Sequence, residues 1–212
     1  MKEIDIENWK RKGPYETFKD YSHPQFSIGA RLDVTNLVKY CKDNKKSFFA
    51  TFLYIVSKSA NKVEEMKIRI IDDKIVKYDI VHPSYVVLRD DNVITTCKTD
   101  YVDSFDEFYK NCRNDVDRTK KNKDVIFDSS NDNGVLYISC LPFTDVYAVT
   151  NPYDIKNKNQ TSIPRIVWGK FVEENGRYKM GFFVECHHAL VDGEPVCKFI
   201  NYVIEEIEKF NK

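Results

Sequence analysis

Cys186-His187-His188-Ala189-Leu190-Val191-Asp192-Gly193 closes an alternating apolar run that begins at Lys179. Two adjacent histidines end the run, an aspartate stands four residues after the second, and a glycine follows that can reach backbone angles closed to other residues. Side chains alternate between the two faces of a strand, so Phe182, Val184, Cys186 and His188 share one face and Phe183, Glu185 and His187 the other. His188 therefore goes with the more apolar row. An imidazole held at the end of such a row can accept a proton at physiological pH. A lone histidine there is more often an ordinary core residue with a hydrogen-bond partner; the doublet together with Asp192 and Gly193 favours a site with a base and its support.

Downstream, Val196, Phe199, Ile200, Val203, Ile204 and Ile207 recur at helical spacing behind Pro195, so Asp192 stands where a helix cap would. Capping and support of a neighbouring histidine are compatible, and these residues do not choose between them. Upstream, Ile166 to Val172 and Tyr178 to His188 flank Asn175-Gly176, a strong hairpin signal. With those residues as the turn, Glu174 faces Arg177, and uninterrupted pairing sets Val167 opposite Val184, on the sheet face of His188.

Elsewhere Phe26, Ile28, Ala30, Leu32 and Val34 mark a strand with one buried face, and Thr35 opens a short helix through Lys42. From Ser47 to Val63 apolar residues cover a broad helical face, which reads as a core helix. Lys67 to Ile71 with Ile75 to Val81, and Tyr85 to Leu88 with Val93 to Thr96, read as two hairpins. Ser104 and Glu107 form a capping-box pair for a helix that buries Phe105, Phe108, Tyr109, Cys112 and Val116. A polar loop over 119–133 has only Val125, Ile126 and Phe127 to offer a core. Val135 to Pro142 and Val146 to Thr150 read as strands around a bend, and 154–160 as a surface loop.

The 212 residues suffice for a sizeable core, as one domain or two tightly joined halves, and no repeat or linker divides them. Lysine plus arginine equals aspartate plus glutamate at 33 each, so no net field draws the chain to nucleic acid or to an anionic membrane. The six cysteines show no C-x-x-C pair and no zinc-ligand spacing; they read as free thiols of a reducing compartment, and no metal is expected. No stretch approaches the ~20 apolar residues that span a bilayer, and the first residues lack the apolar core of a secretion signal, so a cytoplasmic protein is expected.

His187-His188-Ala189-Leu190-Val191-Asp192-Gly193 resembles the H-H-x-x-x-D-G signature of the chloramphenicol acetyltransferase family. Related signatures occur in non-ribosomal peptide condensation domains and in dihydrolipoyl acyltransferase cores. Ile4-Asp5-Ile6-Glu7-Asn8-Trp9-Lys10-Arg11-Lys12, Phe26-Ser27-Ile28, Leu32-Asp33-Val34-Thr35, His82-Pro83-Ser84-Tyr85 and Ile138-Ser139-Cys140-Leu141-Pro142-Phe143 resemble the same family in order and approximate spacing, nearly end to end. The resemblance implies a single domain over 1–212, an α/β (α+β) two-layer sandwich whose mixed sheet carries helices on one side. It implies acetyl transfer from acetyl-CoA to a hydroxylated small molecule of the chloramphenicol type. It also implies a homotrimer in which the base of one subunit faces the acceptor pocket of the next, while CoA enters from the opposite end of the channel. In this reading His188 is the general base, and Asp192, Arg11 and Gly193 support it. Arg11 matches the arginine that pairs with the motif aspartate; taken alone, Lys10-Arg11-Lys12 is equally a solvated surface turn.

The family's oxyanion helpers, a serine and a threonine, match Ala148 and Val167, neither of which carries a hydroxyl. Thr150, two residues beyond Ala148 on the expected strand, is the substitute, ahead of Tyr147. Acceptor-pocket positions match Phe18, where a tyrosine is usual, together with Phe26, Ile94, Thr96 and Phe143; these residue types suit a plain core equally well. The missing hydroxyls leave two further readings: a catalytically impaired relative that binds a small ligand or acyl-CoA, and an acyltransferase for a different acceptor.

Overall fold

The computed structural model describes residues 1–121, 132–154 and 157–210; the expected core formers Val125, Ile126 and Phe127 lie outside them. In chain order the elements are β1 (Lys2–Glu3), α1 (Lys12–Phe18), β2 (Gln25–Asp33), α2 (Thr35–Asp43), α3 (Phe48–Asn61), β3 (Ile68–Ile71), β4 (Lys74–Lys77) and β5 (His82–Leu88). There follow β6 (Ile94–Lys98), α4 (Phe105–Lys121), β7 (Val135–Leu141), α5 (Lys158–Thr161), β8 (Arg165–Gly169), β9 (Val172–Glu174), β10 (Arg177–His187) and α6 (Gly193–Glu208).

The large sheet is mixed and has the order β2-β10-β8-β7-β5-β6, with β9 also pairing β10. β5, β7 and β8 run parallel, and the other neighbours antiparallel. β1, β4 and β3 form a separate small sheet. Helices α2, α3, α4 and α6 pack on the large sheet and on one another, giving the expected two layers. Between the layers, Tyr85, Trp168 and Phe182 meet Phe49, Phe52 and Phe199. Each of these rings other than the partly buried Phe49 contributes on the order of 2–3 kcal/mol by leaving water. The amphipathic pattern of α6 is observed with one exception: Ile204 is off the buried face and exposed. No helix among the described residues is long and apolar enough to cross a membrane.

Local chemistry accounts for the element ends. Ser47 caps α3 by accepting the Ala50 N–H, and Asn175 and Gly176 both adopt positive φ (52° and 77°), as a tight hairpin turn between β9 and β10 requires. Lys12 opens a helix that the sequence pattern did not announce; Pro14 is tolerated there because first-turn N–H groups have no helical acceptor.

Two strand expectations are corrected. Residues 146–150 are not a strand. The Lys170 N–H, which an unbroken β8–β9 would direct along the ladder, donates instead to the Thr144 carbonyl (3.0 Å), and Arg31 holds Asp145 through two hydrogen bonds of 3.1 and 3.0 Å. The 144–146 segment therefore crosses the helix-free face of the sheet, over Gly169 and Gly181, where there is no side chain to block it. The second correction follows from the same detour. Glu174 faces Arg177 and Val172 faces Lys179 as expected, but Trp168 then faces Phe182, so residues 169–171 oppose only 180 and 181. One extra residue is a bulge, and a one-residue slip moves every later side chain to the other face. Val167 consequently faces Phe183, not Val184, and lies on the helix-free face.

A β-carbon at Gly181 would collide with the Val146 carbonyl oxygen. Gly181→Ala is therefore expected to lower stability by about 1–3 kcal/mol through overpacking, seen as a lower denaturation midpoint at unchanged slope. A midpoint equal to that of the parent protein would mean that the 144–146 segment is not seated on the sheet.

Candidate active site

β10 ends at His187, and the backbone turns sharply: Leu190 and Val191 both donate their N–H groups to the His187 carbonyl, at 2.9 and 3.1 Å. His188 sits in this turn with its backbone held from both sides. Its N–H donates to the Pro24 carbonyl (2.8 Å), and its carbonyl accepts from Arg11 Nη2 (3.2 Å). Arg11 also grips Asp192 with both terminal nitrogens, Nη1 to Oδ2 and Nη2 to Oδ1, the latter at 3.0 Å. Asp192 is the N-cap residue of α6, yet its carboxylate makes no capping bond; it is spent entirely on Arg11. The guanidinium holds the Asp192 carboxyl below the usual carboxylate range, against a smaller opposing effect of burial.

The His188 ring lies between two aromatics. Phe18 stacks on it at 4.3 Å with the planes 4° apart, and Phe26 tilts against it at 4.6 Å. Phe26 is the β2 partner of Cys186, so the imidazole stays on the apolar row assigned from the alternation. Nδ1 is covered and lacks a hydrogen-bond partner, although Asp192 Oδ1 is 3.4 Å away. The side chain as a whole is 35% exposed, so the edge that reaches solvent is the one bearing Nε2. Chemically, such a ring can exchange a proton at one nitrogen only. Gly193 departs from expectation: it is the first residue of α6, has no positive φ, and a β-carbon there would make only ordinary contact with Ile28.

His187 is a different object. It points to the opposite face, is buried, and accepts the Ala189 N–H on Nδ1 (3.3 Å). Burial, with a smaller contribution from the charge of His188, pushes its pKa down to about 4, so it stays neutral. The neighbouring Glu185, buried on that same face, accepts hydrogen bonds from Ser27, Asn151 and Tyr153. Nothing in the sequence pattern marked Glu185; its partners come from segments distant in the chain.

The remaining expected site residues do not gather around His188. Phe18 and Phe26 do. Ile94, Thr96 and Val167 line a recess of about 450 Å³ on the helix-free face, with Val86 and Ser139. Phe143, 76% exposed, borders a second recess of about 510 Å³ next to Phe49, Arg113 and Lys120. Ala148 and Thr150 are exposed on the irregular segment after β7 and line neither recess; with no strand there, Thr150 has no strand face to share with Ala148. A smaller, basic and aromatic recess of about 230 Å³ is formed by Lys42, Lys45 and Lys46 around Phe48 and Phe171. Among the described residues no group of histidine, cysteine and carboxylate side chains is arranged to hold a metal ion.

A family model for chloramphenicol acetyltransferase matches residues 1–204. The Escherichia coli protein named chloramphenicol acetyltransferase 3 is 25% identical over 203 residues, which is 95% of this chain and 94% of that protein. A chloramphenicol acetyltransferase of Bacillus pumilus is 24% identical over 204 residues, covering 96% and 91% of the two chains. A solved structure of a chloramphenicol acetyltransferase superposes with a TM-score of 0.89 at 26% identity, over 98% of this chain and 100% of the other. With its mixed sheet, one-sided helices and a match that runs almost from end to end, the chain belongs to the chloramphenicol acetyltransferase family and is an acyltransferase of that type.

Proposed function

We propose that the protein transfers the acetyl group of acetyl-CoA to a hydroxyl of a small molecule of the chloramphenicol type, with His188 as general base. The observation that carries this reading is the condition of its imidazole: backbone held at both ends, Nδ1 covered, the ring clamped by Phe18 and Phe26, and the Nε2 edge free. Nε2 takes the acceptor's hydroxyl proton as that oxygen attacks the thioester carbonyl carbon, and the carbonyl electron pair moves to oxygen. Collapse of the tetrahedral intermediate breaks the C–S bond, and the departing sulfur recovers the proton from the imidazolium, leaving as the CoA thiol. Asp192 and Arg11 carry no proton in this scheme; they hold the turn that presents His188.

The imidazole and the Val167 recess lie on different sides of one chain, so the reaction needs a second copy. In this proposal His188 of one subunit faces the recess of the next, and the head-to-tail contact closes as the cyclic trimer that the family resemblance implies. A recess of about 450 Å³ suits a small acceptor. For CoA, the cluster of Lys42, Lys45 and Lys46 beside Phe48 and Phe171 offers cations for phosphate and flat apolar surface for adenine. A second reading, an impaired relative that binds acyl-CoA or a small ligand with little turnover, is favoured by one observation: Ala148 and Val167 bring no hydroxyl to the oxyanion, and loss of one such donor costs ~10²–10³ in rate.

Thiol release from acetyl-CoA in the presence of chloramphenicol and other hydroxylated acceptors separates the two readings. On the first, His188→Ala lowers kcat by ~10²–10⁴ while His187→Ala acts mainly on stability, since it removes a buried hydrogen-bond acceptor. Equal kinetic losses from both replacements would contradict the assignment of the base. Asp192→Asn and Arg11→Ala are each expected to lower Tm together with activity, because the remaining partner of a half-buried ion pair keeps its desolvation cost; loss of activity at unchanged Tm would point to a direct chemical role for Asp192. In solution at micromolar concentration the mass should be that of three subunits, and a monomer with full activity would sink the shared-site arrangement.

A further inference from the structure

The recesses of about 450 and 510 Å³ meet. Their linings share Val86, Ile94 and Ser139, and of these only Ser139 carries a polar side chain. Ser139 is the parallel register partner of Val167, on the same face of adjacent strands, ~4.8 Å away across the ladder. Ser139 is half-buried, and its hydroxyl has no hydrogen-bond partner among the described residues. The other hydroxyls nearby differ in this or in position: Thr96 and Tyr137 have partners of their own, Ser47 is occupied in capping α3, and Ser84 lines one recess only. A free donor beside Val86, Ile94 and Val167, where two binding spaces join, is placed to reach a ligand that spans them, and its hydrogen bond to a developing anion strengthens as the bound ligand excludes water.

We infer that Ser139 donates its hydroxyl hydrogen bond to the oxyanion of the acetyl-transfer intermediate, replacing the hydroxyls absent from Ala148 and Val167. This rests on the acyl-transfer reading above. In the step concerned, the acceptor oxygen bonds to the thioester carbonyl carbon, its proton passes to His188 Nε2 of a neighbouring copy, and the carbonyl oxygen takes the electron pair. Ser139 Oγ–H hydrogen-bonds to that oxygen and keeps its own proton throughout. When the C–S bond breaks, the carbonyl re-forms and the hydrogen bond weakens, so the interaction is strongest in the transition state. Such a contact raises kcat and leaves ground-state binding alone.

The test measures kcat and KM for thiol release from acetyl-CoA with chloramphenicol as acceptor, and with water as acceptor should chloramphenicol not turn over; both routes pass through the same oxyanion. Ser139→Ala is expected to lower kcat by ~10²–10³ at unchanged KM, Tm and subunit mass, and Ser139→Thr, which keeps a hydroxyl on the strand, to retain most of it. An Ser139→Ala protein with parental kcat, measured alongside a His188→Ala protein that has lost turnover, overturns the role of Ser139 and leaves the acyl-transfer reading standing. A large loss from Thr150→Val with none from Ser139→Ala does the same and moves the role to the exposed segment. No thiol release above buffer from the parent protein, with chloramphenicol or with water, removes the acyl-transfer reading and the role of Ser139 together.

Discussion

The bidentate contact between Arg11 and Asp192 holds the site together. It joins residues 181 positions apart, at the start of the first helix and at the cap of the last. The same guanidinium binds the His188 carbonyl, so one cation fixes a carboxylate, a helix start and the backbone of the residue between them. Planarity matters here, since a guanidinium can serve two carboxylate oxygens and a carbonyl at once where an ammonium would act as a point charge. Because Asp192 gives its oxygens to Arg11 and none to the free N–H groups of α6, part of the helix-capping stabilisation that such a position usually supplies is given up to hold the turn.

The histidine doublet shows how a single peptide bond can separate two environments. His187 looks inward across the helix-free face, loses its affinity for protons through burial and accepts a backbone hydrogen bond. His188 looks the other way, is gripped by two phenylalanines and keeps one edge in solvent. Packing of Phe18 against the ring is flush, so a tyrosine at that position would add its hydroxyl at the ring's periphery and leave the stack itself unchanged.

A single rerouted backbone group arranges the other half of the molecule. With Lys170 N–H committed to Thr144, β8 and β9 cannot pair β10 in one register, and the sheet absorbs the difference as a bulge opposite Met180 and Gly181. Val167 is thereby turned to the helix-free face, where Ser139 of β7 is its register partner. The imidazole and this pair then look outward from different surfaces, which is why the proposed chemistry is an intersubunit one.

Much of this was legible in the residues. Hydrophobic alternation identified β10 and the row to which His188 belongs, the positive-φ pair Asn175-Gly176 set the hairpin, and the apolar periods of α3 and α6 predicted the helical layer; all are local signals carried by side chains close in sequence. The resemblance singled out Arg11 as the partner of Asp192, which no local pattern could have done. What the tertiary structure decided depends on backbone groups meeting across the fold. The 144–146 crossing, the bulge it imposes and the resulting face of Val167 follow from one N–H choosing a distant carbonyl, a choice that leaves no trace in side-chain periodicity. Likewise Ser139 is an unremarkable strand serine in the sequence, and only the meeting of two recesses around it, with its hydroxyl unspent, gives it chemical meaning.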